Sequence, residues 1–443
     1  MFSNKDLRKL IIPLVIEQLL AVTIGMADTV MVSSCGEAAV SGISLVDSIN
    51  FLLITLFSSL ATGGAVIASQ YIGRGDHKSA SLAAKQLFYA SLALSAVLGV
   101  IAVFFRKPVL NMVFGSIEAD VMAHAQIYFL LSAISYPFLA VYNAGAALFR
   151  SMGDSRTTML ISILMNTINI VGNAILIYGF QMAAAGAATA SLVSRAVGAI
   201  IITVLLLNPR RIIFYDKLHK PEIHLSMLKS ILQIGVPNGL ENSIFQIGKI
   251  LVASIVSGFG TISITANAVA GNLASLQVIP GMALGMAMIT VVGQCIGAKD
   301  YEAVKKYTKK LMLITYGVVW AMTLLMLLFS KQILSFYSLS EETTTMTMEV
   351  FIVHGICAVI VWPLAFALPN ALRAVNDVRF TMIVSLLSMW IFRIGFSYIL
   401  AIYFNMGILG TWIAMCIDWF CRGACFVIRF ARGKWKNISF IDN

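Results

Sequence analysis

"SQYIGRGDHKSA" at residues 69–80 and "GQCIGAKDYEAV" at residues 293–304 are two copies of one polar turn, and each copy follows a long apolar run. The shared positions recur at one fixed offset: Gln70, Ile72, Gly73 and Asp76 in the first copy, and Gln294, Ile296, Gly297 and Asp300 in the second. We predict that the shared glycines end one helix in the left-handed backbone conformation and that the shared aspartates begin the next helix. A turn that recurs at a fixed offset indicates a duplicated chain.

The composition is typical of a membrane protein. Of the 443 residues, 59% are hydrophobic and 12% are charged, whereas soluble domains carry about 25% charged residues. Twelve apolar runs have about the length of a bilayer-spanning helix, roughly 20 residues, and the alternating pattern of a membrane barrel is absent. The runs are 8–33, 47–71, 85–105, 122–147, 158–179, 184–207, 230–257, 264–293, 310–330, 346–370, 380–404 and 407–428. We therefore predict an all-α membrane protein with twelve transmembrane helices.

The repeat extends well beyond the two turns. Glu17 recurs at the same offset as Glu241, and "LFRSMGDSRTTM" at 148–159 resembles "ALRAVNDVRFTM" at 371–382. Because six helices per copy is an even number, both copies enter the membrane from the same side, and we predict two parallel-repeat six-helix lobes. The predicted domains are an N-terminal lobe (1–207), a cytoplasmic linker (208–227) and a C-terminal lobe with a short basic tail (228–443).

The basic residues indicate which side of the membrane each connection faces. The net charge is +11, and Lys and Arg concentrate near both termini and after even-numbered helices, whereas the odd connections hold only Arg106, Lys107 and Lys331. By the positive-inside rule, this asymmetry predicts that both termini are cytoplasmic. We expect a multi-pass protein of the cell (inner) membrane. Its basic charge is explained by the membrane topology, and we expect no nucleic-acid partner.

Ionisable side chains inside the apolar runs are the candidate functional residues, because a charge at the bilayer centre costs at least about 2.5–3.5 kcal/mol on insertion scales. They are Glu17, Asp28, Arg195, Glu241, Lys249, Arg393, Asp418 and Arg422, together with His354. Asp418 and Arg422 are four residues apart on helix 12, so they can pair, and Arg393 can join them from helix 11. We interpret these three residues as structural ion pairs.

Three of these residues, together with two glutamines, are predicted to contact either substrate or the opposite lobe: Glu17, Glu241, Lys249, Gln70 and Gln294. For the duplicated glutamates an alternative stays open, in which each one lies at the membrane interface or pairs with a neighbouring group. Lys249 follows Glu241 by eight residues on the same helix face, which makes it a candidate counter-charge in the C-terminal lobe.

The chain resembles the multidrug and toxic compound extrusion (MATE) family of transporters in four segments. In order, these are "IPLVIEQLLAVTIGMADTVMVSSCGEAAVSGIS", "ALFRSMGDSRTTM", "MNTINIVGNAILIYG" and "AAAGAATAS". The resemblance implies a V-shaped bundle of two six-helix lobes. It also implies a secondary-active multidrug efflux antiporter, which exports bulky, often cationic or amphipathic compounds in exchange for Na⁺ or H⁺ by alternating access.

The resemblance further implies a cation or proton site in the first lobe. The positions that match the family's site are Asp28, Asn169, Asn173 and Thr189. Asp28 is the implied coupling group: it would be a Na⁺ ligand if the protein is sodium-coupled, or it would take a proton. The alternative is a polar cluster that only ties helices together. One branch of the family uses a Glu in helix 7 and an Asp in helix 10, but Trp362 stands at the helix 10 position here, which favours the first lobe.

Two other functions compete with this interpretation. A lipid-linked oligosaccharide or other amphiphile flippase of related fold would be expected to have a more cationic central cavity. An intramembrane enzyme would need a catalytic His, Ser or carboxylate arrangement, and an ATP-driven pump would need a Gly-rich phosphate loop. The sequence indicates neither, so we expect no enzyme activity and no cofactor. We expect Na⁺ or H⁺ as the coupling ion, drug-like small-molecule substrates and a monomer in the lipid bilayer.

Overall fold

The computed structural model describes residues 2–115, 118–216, 218, 220, 222–335, 337 and 339–438, without the side chains of residues 24, 26, 27 and 29. These residues form helices joined by turns. The first half contains α1 (Asn4–Ser33), α2 (Glu37–Arg74), α3 (His77–Phe104), α4 (Ala119–Ser151), α5 (Ser155–Gly179) and α6 (Ala183–Leu206). The second half contains α7 (Leu225–Ser257), α8 (Thr261–Gly297), α9 (Tyr301–Leu328), α10 (Glu341–Ile360), α11 (Val378–Tyr403) and α12 (Gly407–Ala431).

The predicted all-α membrane fold is confirmed. Within the described part of the chain, eleven helices, α2 to α12, are long and apolar enough to cross a membrane, and α1 has 30 residues. Most helices extend past their apolar runs, because polar residues prolong and cap them. The largest extension is in α2, which begins at Glu37, ahead of the run predicted at 47–71. The run at 346–370 is interrupted after Ile360 and continues as short helices, Pro363–Ala367 and Leu368–Ala374.

The chain forms two compact units, Met1–Gly239 and Leu240–Asn443. The division falls inside α7, because the start of this helix packs closely on α2: a Cβ at Gly63 would lie 2.5 Å from the Ile231 carbonyl oxygen. In the first unit, α4 packs against α2, α3 and α6, and α5 packs against α1 and α6. In the second unit, α8 packs against α9 and α10, and α12 packs against α10 and α11. These contacts position the polar residues described below.

The duplication is visible in the backbone of each unit. Left-handed residues recur in the corresponding turns: Gly36 (φ 94°) with Gly260 (φ 90°), Gly75 (φ 80°) with Lys299 (φ 57°), and Gln181 (φ 54°) with Asn405 (φ 54°). The π-helical turn Ala174–Gly179 at the end of α5 likewise corresponds to Tyr398–Tyr403 at the end of α11. Local geometry as well as sequence is therefore repeated.

The prediction that Gly73 and Gly297 adopt the left-handed conformation was wrong. Both glycines lie inside helices, and the left-handed residues are Gly75 and Lys299, two positions later. Each helix continues past this glycine because the turn at the left-handed residue supplies backbone donors to the last carbonyl groups of the helix. Asp76 N donates to Tyr71 O over 2.9 Å and Gly75 N donates to Ile72 O over 3.0 Å, which is the bonding pattern of a Schellman turn.

The aspartates of the duplicated turn begin the next helices, as predicted. Asp76 Oδ1 accepts from Ser79 N over 2.9 Å, and Asp300 Oδ1 accepts from Ala303 N over 2.9 Å. The hydrogen bonds from Ser79 hold the pKa of Asp76 below its usual range. The stability that this cap contributes is therefore present above the unfolded-state pKa and is lost as the pH falls through the folded-state pKa.

Replacing the cap tests its contribution. We expect Asp76→Ala to lower the free energy of unfolding by about 1 kcal/mol, because a backbone donor of the first turn of α3 loses its acceptor. Asp76→Asn is the matched control, since asparagine caps helices about as well as aspartate. Denaturant unfolding of the purified protein measures both changes. A loss of the same size in the asparagine variant would contradict the capping role.

The described part of the predicted linker is attached to α3. Tyr89 OH donates to Leu218 O over 2.8 Å, and Gln86 Nε2 donates to Glu222 O over 2.7 Å. Gln86 Oε1 accepts in turn from His224 N over 3.0 Å. Residues 217, 219 and 221 of the predicted linker and residues 439–443 of the predicted basic tail lie outside the described residues. The linker is therefore held to α3 by side-chain bonds to its main chain.

Candidate functional site

Asp28 on α1 is held by two asparagines of α5. Asn173 Nδ2 donates to Asp28 Oδ1 over 2.6 Å. When the Asn169 amide is oriented so that both its atoms are satisfied, its Nδ2 donates to Asp28 Oδ1 over 2.7 Å and its oxygen accepts from Ser191 Oγ over 3.0 Å. Asn169 is 6% exposed and Asn173 is 1% exposed. The packing of α1 on α5 thus brings three of the four residues of the predicted site together.

Thr189, the fourth residue of the predicted site, bonds elsewhere. Its Oγ1 donates to Ala185 O within α6 over 2.7 Å, and in the described part of the chain Ser191 is the α6 hydroxyl that contacts Asn169. The hydroxyl hydrogen of Thr189 is therefore used within its own helix.

One oxygen at this site has no hydrogen-bond partner in the described structure. It is Asn173 Oδ1, which is buried. A buried acceptor without a donor is costly, and it lies on the residue whose Nδ2 contacts the Asp28 carboxylate. Carboxylate and amide oxygens are the ligands that hard cations prefer. The residues present therefore fit a Na⁺ ion, and they equally fit a proton carried by Asp28.

A second carboxylate, Asp47 on α2, was missed by the sequence analysis. Its Oδ1 accepts from Tyr128 OH over 3.0 Å and from Asn50 Nδ2 over 3.2 Å, and Tyr136 OH donates to Asn50 Oδ1 over 2.8 Å. Asp47 interacts electrostatically with Asp28. It is the first residue of the apolar run at 47–71 and was not counted among the charges inside the runs, whereas α2 begins at Glu37 and places Asp47 inside the helix.

Arg195 on α6 is the cation of this group. It interacts electrostatically with both Asp28 and Asp47, and its Nη1 donates to Ser135 Oγ over 2.7 Å. The sequence analysis noted Arg195 as an intramembrane charge but could not place it, because its proximity depends on how α6 packs. With both carboxylates ionised, Asp28, Asp47 and Arg195 carry a net charge of −1, which one proton or one monovalent cation would neutralise.

Each of the duplicated glutamates forms an ion pair with a duplicated arginine. Arg150 Nη1 lies 3.4 Å from Glu17 Oε1, and Arg373 Nη2 lies 2.8 Å from Glu241 Oε1. Glu17 and Glu241 are 7% and 6% exposed, respectively. Each pair joins helices of the same unit, α1 to α4 in the first and α7 to the helix at Leu368–Ala374 in the second. This geometry agrees with the alternative in which each glutamate pairs with a neighbouring group.

The two ion pairs differ in their second oxygen. Thr158 Oγ1 donates to Glu17 Oε2 over 2.8 Å, whereas the corresponding Thr381 donates to Val378 O within its own helix. Glu241 Oε2 is consequently buried without a hydrogen-bond partner in the described structure. The pair in the second unit is less completely satisfied, although Arg373 Nη1 also donates to Asn370 Oδ1 over 2.9 Å.

The structure brings together only some of the remaining residues that the sequence analysis singled out. Asp418 Oδ2 lies 3.2 Å from Arg422 Nη2 and 3.9 Å from Arg393 Nη1, so the structure brings these three together. It does not bring Lys249 to Glu241: Lys249 Nζ lies 5.4 Å from the centroid of the Phe245 ring. Finally, Gln70 is buried near the end of α2, and Gln294 is half-buried near the end of α8.

Comparison with known proteins identifies the family. The MatE family model matches residues 13–175 and again residues 237–399. The second match is displaced from the first by the same offset that relates Gln70 to Gln294, and together the two matches cover most of the chain. The chain belongs to the MATE family of transporters.

Relatives of this MATE transporter match it over almost its whole length. It is 26% identical to the uncharacterized transporter YisQ of Bacillus subtilis, over 96% of this chain and 93% of the relative. It is also 26% identical to the probable multidrug resistance protein NorM of Thermotoga maritima, over 98% and 93% of the two chains. Among solved structures, an outward-facing multidrug resistance MATE family transporter matches with a TM-score of 0.89 and 22% identity, over 98% of this chain and 96% of that one. This last likeness shows the fold.

Proposed function

We propose that this MATE family protein is a secondary-active antiporter that exports drug-like, often cationic or amphipathic compounds in exchange for Na⁺ or H⁺. Export is supported by the relatives, since the Thermotoga maritima protein is named a probable multidrug resistance protein. Coupling is supported by one observation, the net negative group formed by Asp28, Asp47 and Arg195. Both termini are proposed to be cytoplasmic, as the distribution of basic residues predicts.

The electrostatics of this group explain how an ion could drive the cycle. An uncompensated charge within a membrane is costly, so binding a proton or Na⁺ at Asp28 stabilises the state in which the group is shielded from water. A ligand shifts a conformational equilibrium only if it binds the two states with different affinity. Asp28 would therefore bind the ion on one side of the membrane and release it on the other, while Arg195 and the α5 asparagines keep the carboxylate oriented.

Separate ion gradients test this proposal. Proteoliposomes loaded with a fluorescent drug-like cation would receive either an inward Na⁺ gradient at uniform pH or an inward proton gradient without Na⁺. We expect one of the two gradients to accelerate efflux and the other to have little effect. Efflux that responds to neither gradient would contradict antiport and would leave only facilitated diffusion.

A third carboxylate, added to Asp28 and Asp47, should increase the affinity of the site for a cation. We expect Asn173→Asp to tighten Na⁺ binding by about tenfold, because it changes the net charge of the group from −1 to −2 and replaces an amide donor with a ligand oxygen. The matched control is Asn166→Asp on the same helix, since Asn166 donates to Ser162 Oγ and not to Asp28. Equilibrium binding of ²²Na⁺ to protein in nanodiscs measures both variants. Equal effects in the two variants would show that general charge, and not the site, is responsible.

A further inference from the structure

Three cationic side chains surround one aromatic ring in the second unit. Lys249 Nζ lies 5.4 Å from the centroid of the Phe245 ring, Arg393 Cζ lies 5.4 Å from it, and Arg422 Cζ lies 5.3 Å from it. The cations come from α7, α11 and α12, respectively. Three separate helices therefore place positive charge around a single point inside an apolar bundle, which we call the Phe245 cluster.

Negative charge in the Phe245 cluster is insufficient to balance these cations. Asp418 is the one acidic side chain of the described chain that forms an ion pair with any of the three, and it contacts Arg422 and Arg393. Ser388 Oγ also donates to Asp418 over 2.5 Å. Glu241, which also lies on α7, is paired with Arg373. The cluster therefore has three positive charges and one negative charge.

Buried donors in the cluster also lack acceptors. Arg393 and Arg422 are 9% and 3% exposed, respectively, and in the described structure the Nε atoms of both have no hydrogen-bond partner. Lys249 has no acceptor there either, although its side chain, unlike those of the two arginines, is exposed in the described structure. An unsatisfied buried donor is costly, and more so when it is charged. An acceptor group that is not part of this chain would explain the unpartnered Nε atoms of Arg393 and Arg422 and the lack of an acceptor for Lys249.

The aromatic residues beside the Phe245 cluster indicate what kind of molecule would carry this acceptor group. The Phe366 ring lies 6.2 Å from Phe245, edge to face, and 4.5 Å from Arg422 Cζ. Trp362 stacks on Phe366 at 5.3 Å, and Trp419 meets its edge at 5.4 Å. An aromatic wall beside three cations that share one acidic partner is complementary to a molecule with an anionic head and an apolar, ring-containing body.

We propose that the Phe245 cluster binds the anionic group of an amphipathic organic anion, a carboxylate, sulfonate or phosphate ester, and that Lys249 is the residue that recognises its charge. Binding stands on the geometry of the cluster alone. The further step, that such anions are among the exported substrates, rests on the proposed function. A cationic substrate would be repelled by this cluster, so the cluster favours anionic over cationic substrates.

Two xanthene dyes of opposite charge test the proposal. Fluorescein is anionic near pH 8, and a rhodamine ester with the same ring system is cationic. Fluorescence polarisation with the full chain in phosphatidylcholine nanodiscs should show that fluorescein binds and that Lys249→Gln weakens its binding about 10-fold or more, since a charge-assisted contact is lost. Lys249→Arg keeps the positive charge on a differently shaped group, so it should weaken binding less than Lys249→Gln does. Lys331→Gln, at an exposed lysine, is the matched control and should have no effect.

Adding an anionic lipid to the nanodiscs identifies the source of the anion. If phosphatidylglycerol in the nanodiscs displaces fluorescein from the wild type, and the displacement is weaker in Lys249→Gln, the anionic group belongs to a lipid; if it has no effect, the ligand is a soluble anion. Both results support an anion site. Fluorescein affinity that is unchanged in Lys249→Gln, or no stronger than that of the rhodamine ester, overturns the proposal.

Transport separates this inference from the proposed function. If the rhodamine ester is exported and fluorescein does not bind, the proposed export function is supported and the proposed anion site is contradicted. If fluorescein binding depends on Lys249 and an ion gradient drives the efflux of neither dye, the proposed anion site is supported and the proposed export function is contradicted.

Discussion

Asp28→Asn is expected to abolish ion-driven export and to leave folding and membrane insertion intact. Asparagine has nearly the same shape as aspartate, so the bonds from Asn173 and Asn169 to this position can largely be replaced. It cannot, however, take up or release a proton, and it offers no charge to Na⁺. The variant fixes the site in the neutral state, and an equilibrium that no longer depends on the ion cannot be driven by it. Efflux should fall to the rate of liposomes without protein.

A matched substitution controls for the loss of a carboxylate as such. Asp120 is an exposed aspartate in the first turn of α4, and Asp120→Asn should retain efflux at the wild-type rate. Expression in the membrane fraction and the melting temperature establish that each variant is folded. If Asp28→Asn keeps wild-type, gradient-dependent efflux at equal expression, the coupling group is elsewhere, and Glu241 and Lys249 are the next residues to test.

Arg373→Gln is expected to destabilise the protein by about 3–5 kcal/mol, because removing one partner of a buried ion pair leaves an uncompensated charge. Glu241 is 6% exposed and already has one oxygen without a hydrogen-bond partner in the described structure. Losing the contact of 2.8 Å with Arg373 would leave its carboxylate without a cation. Denaturant unfolding in detergent, followed by tryptophan fluorescence, measures the change.

The double variant separates the cost of a stranded charge from the value of the contact. Arg373→Gln with Glu241→Gln removes both charges, so we expect it to recover most of the stability that the single variant loses. Lys331→Gln, at an exposed lysine, should change stability by less than about 0.5 kcal/mol. A single-variant loss below about 1 kcal/mol, well under the cost of a stranded buried charge, or a double variant as unstable as the single one, would contradict a structural ion pair.

The sequence predicted the helices well, because the apolar runs and the repeat both reflect strong constraints. A segment that crosses a membrane must satisfy its backbone hydrogen bonds internally and remain apolar for about 20 residues. The ends were less predictable. Glu37 starts α2 well before the apolar run, and Gly75, not Gly73, is left-handed, because capping bonds decide where a helix stops.

The candidate site was only partly predictable, because its charges come from different helices. Asp28, Asn169 and Asn173 could be grouped from a family pattern, but Asp47 and Arg195 could not, since their proximity depends on how α2 and α6 pack around α4. Arg195 was recognised as a charge inside an apolar run, but nothing in the sequence connected it with Asp28. That Glu17 contacts a neighbouring group was likewise one of two open alternatives, and the sequence did not identify Arg150 as that group, although both residues belong to repeated motifs.

The central claim is that substrate export and ion entry are one exchange in which Asp28 carries the ion. Its most direct test uses proteoliposomes loaded with a cationic dye, with no ion gradient imposed, in which ²²Na⁺ uptake and internal pH are followed as the dye leaves. We predict that dye efflux drives Na⁺ or protons inward against their equilibrium distribution, and that this movement is absent in Asp28→Asn and present in Asp120→Asn. Dye efflux without any ion movement, or ion movement that persists in Asp28→Asn, would contradict it.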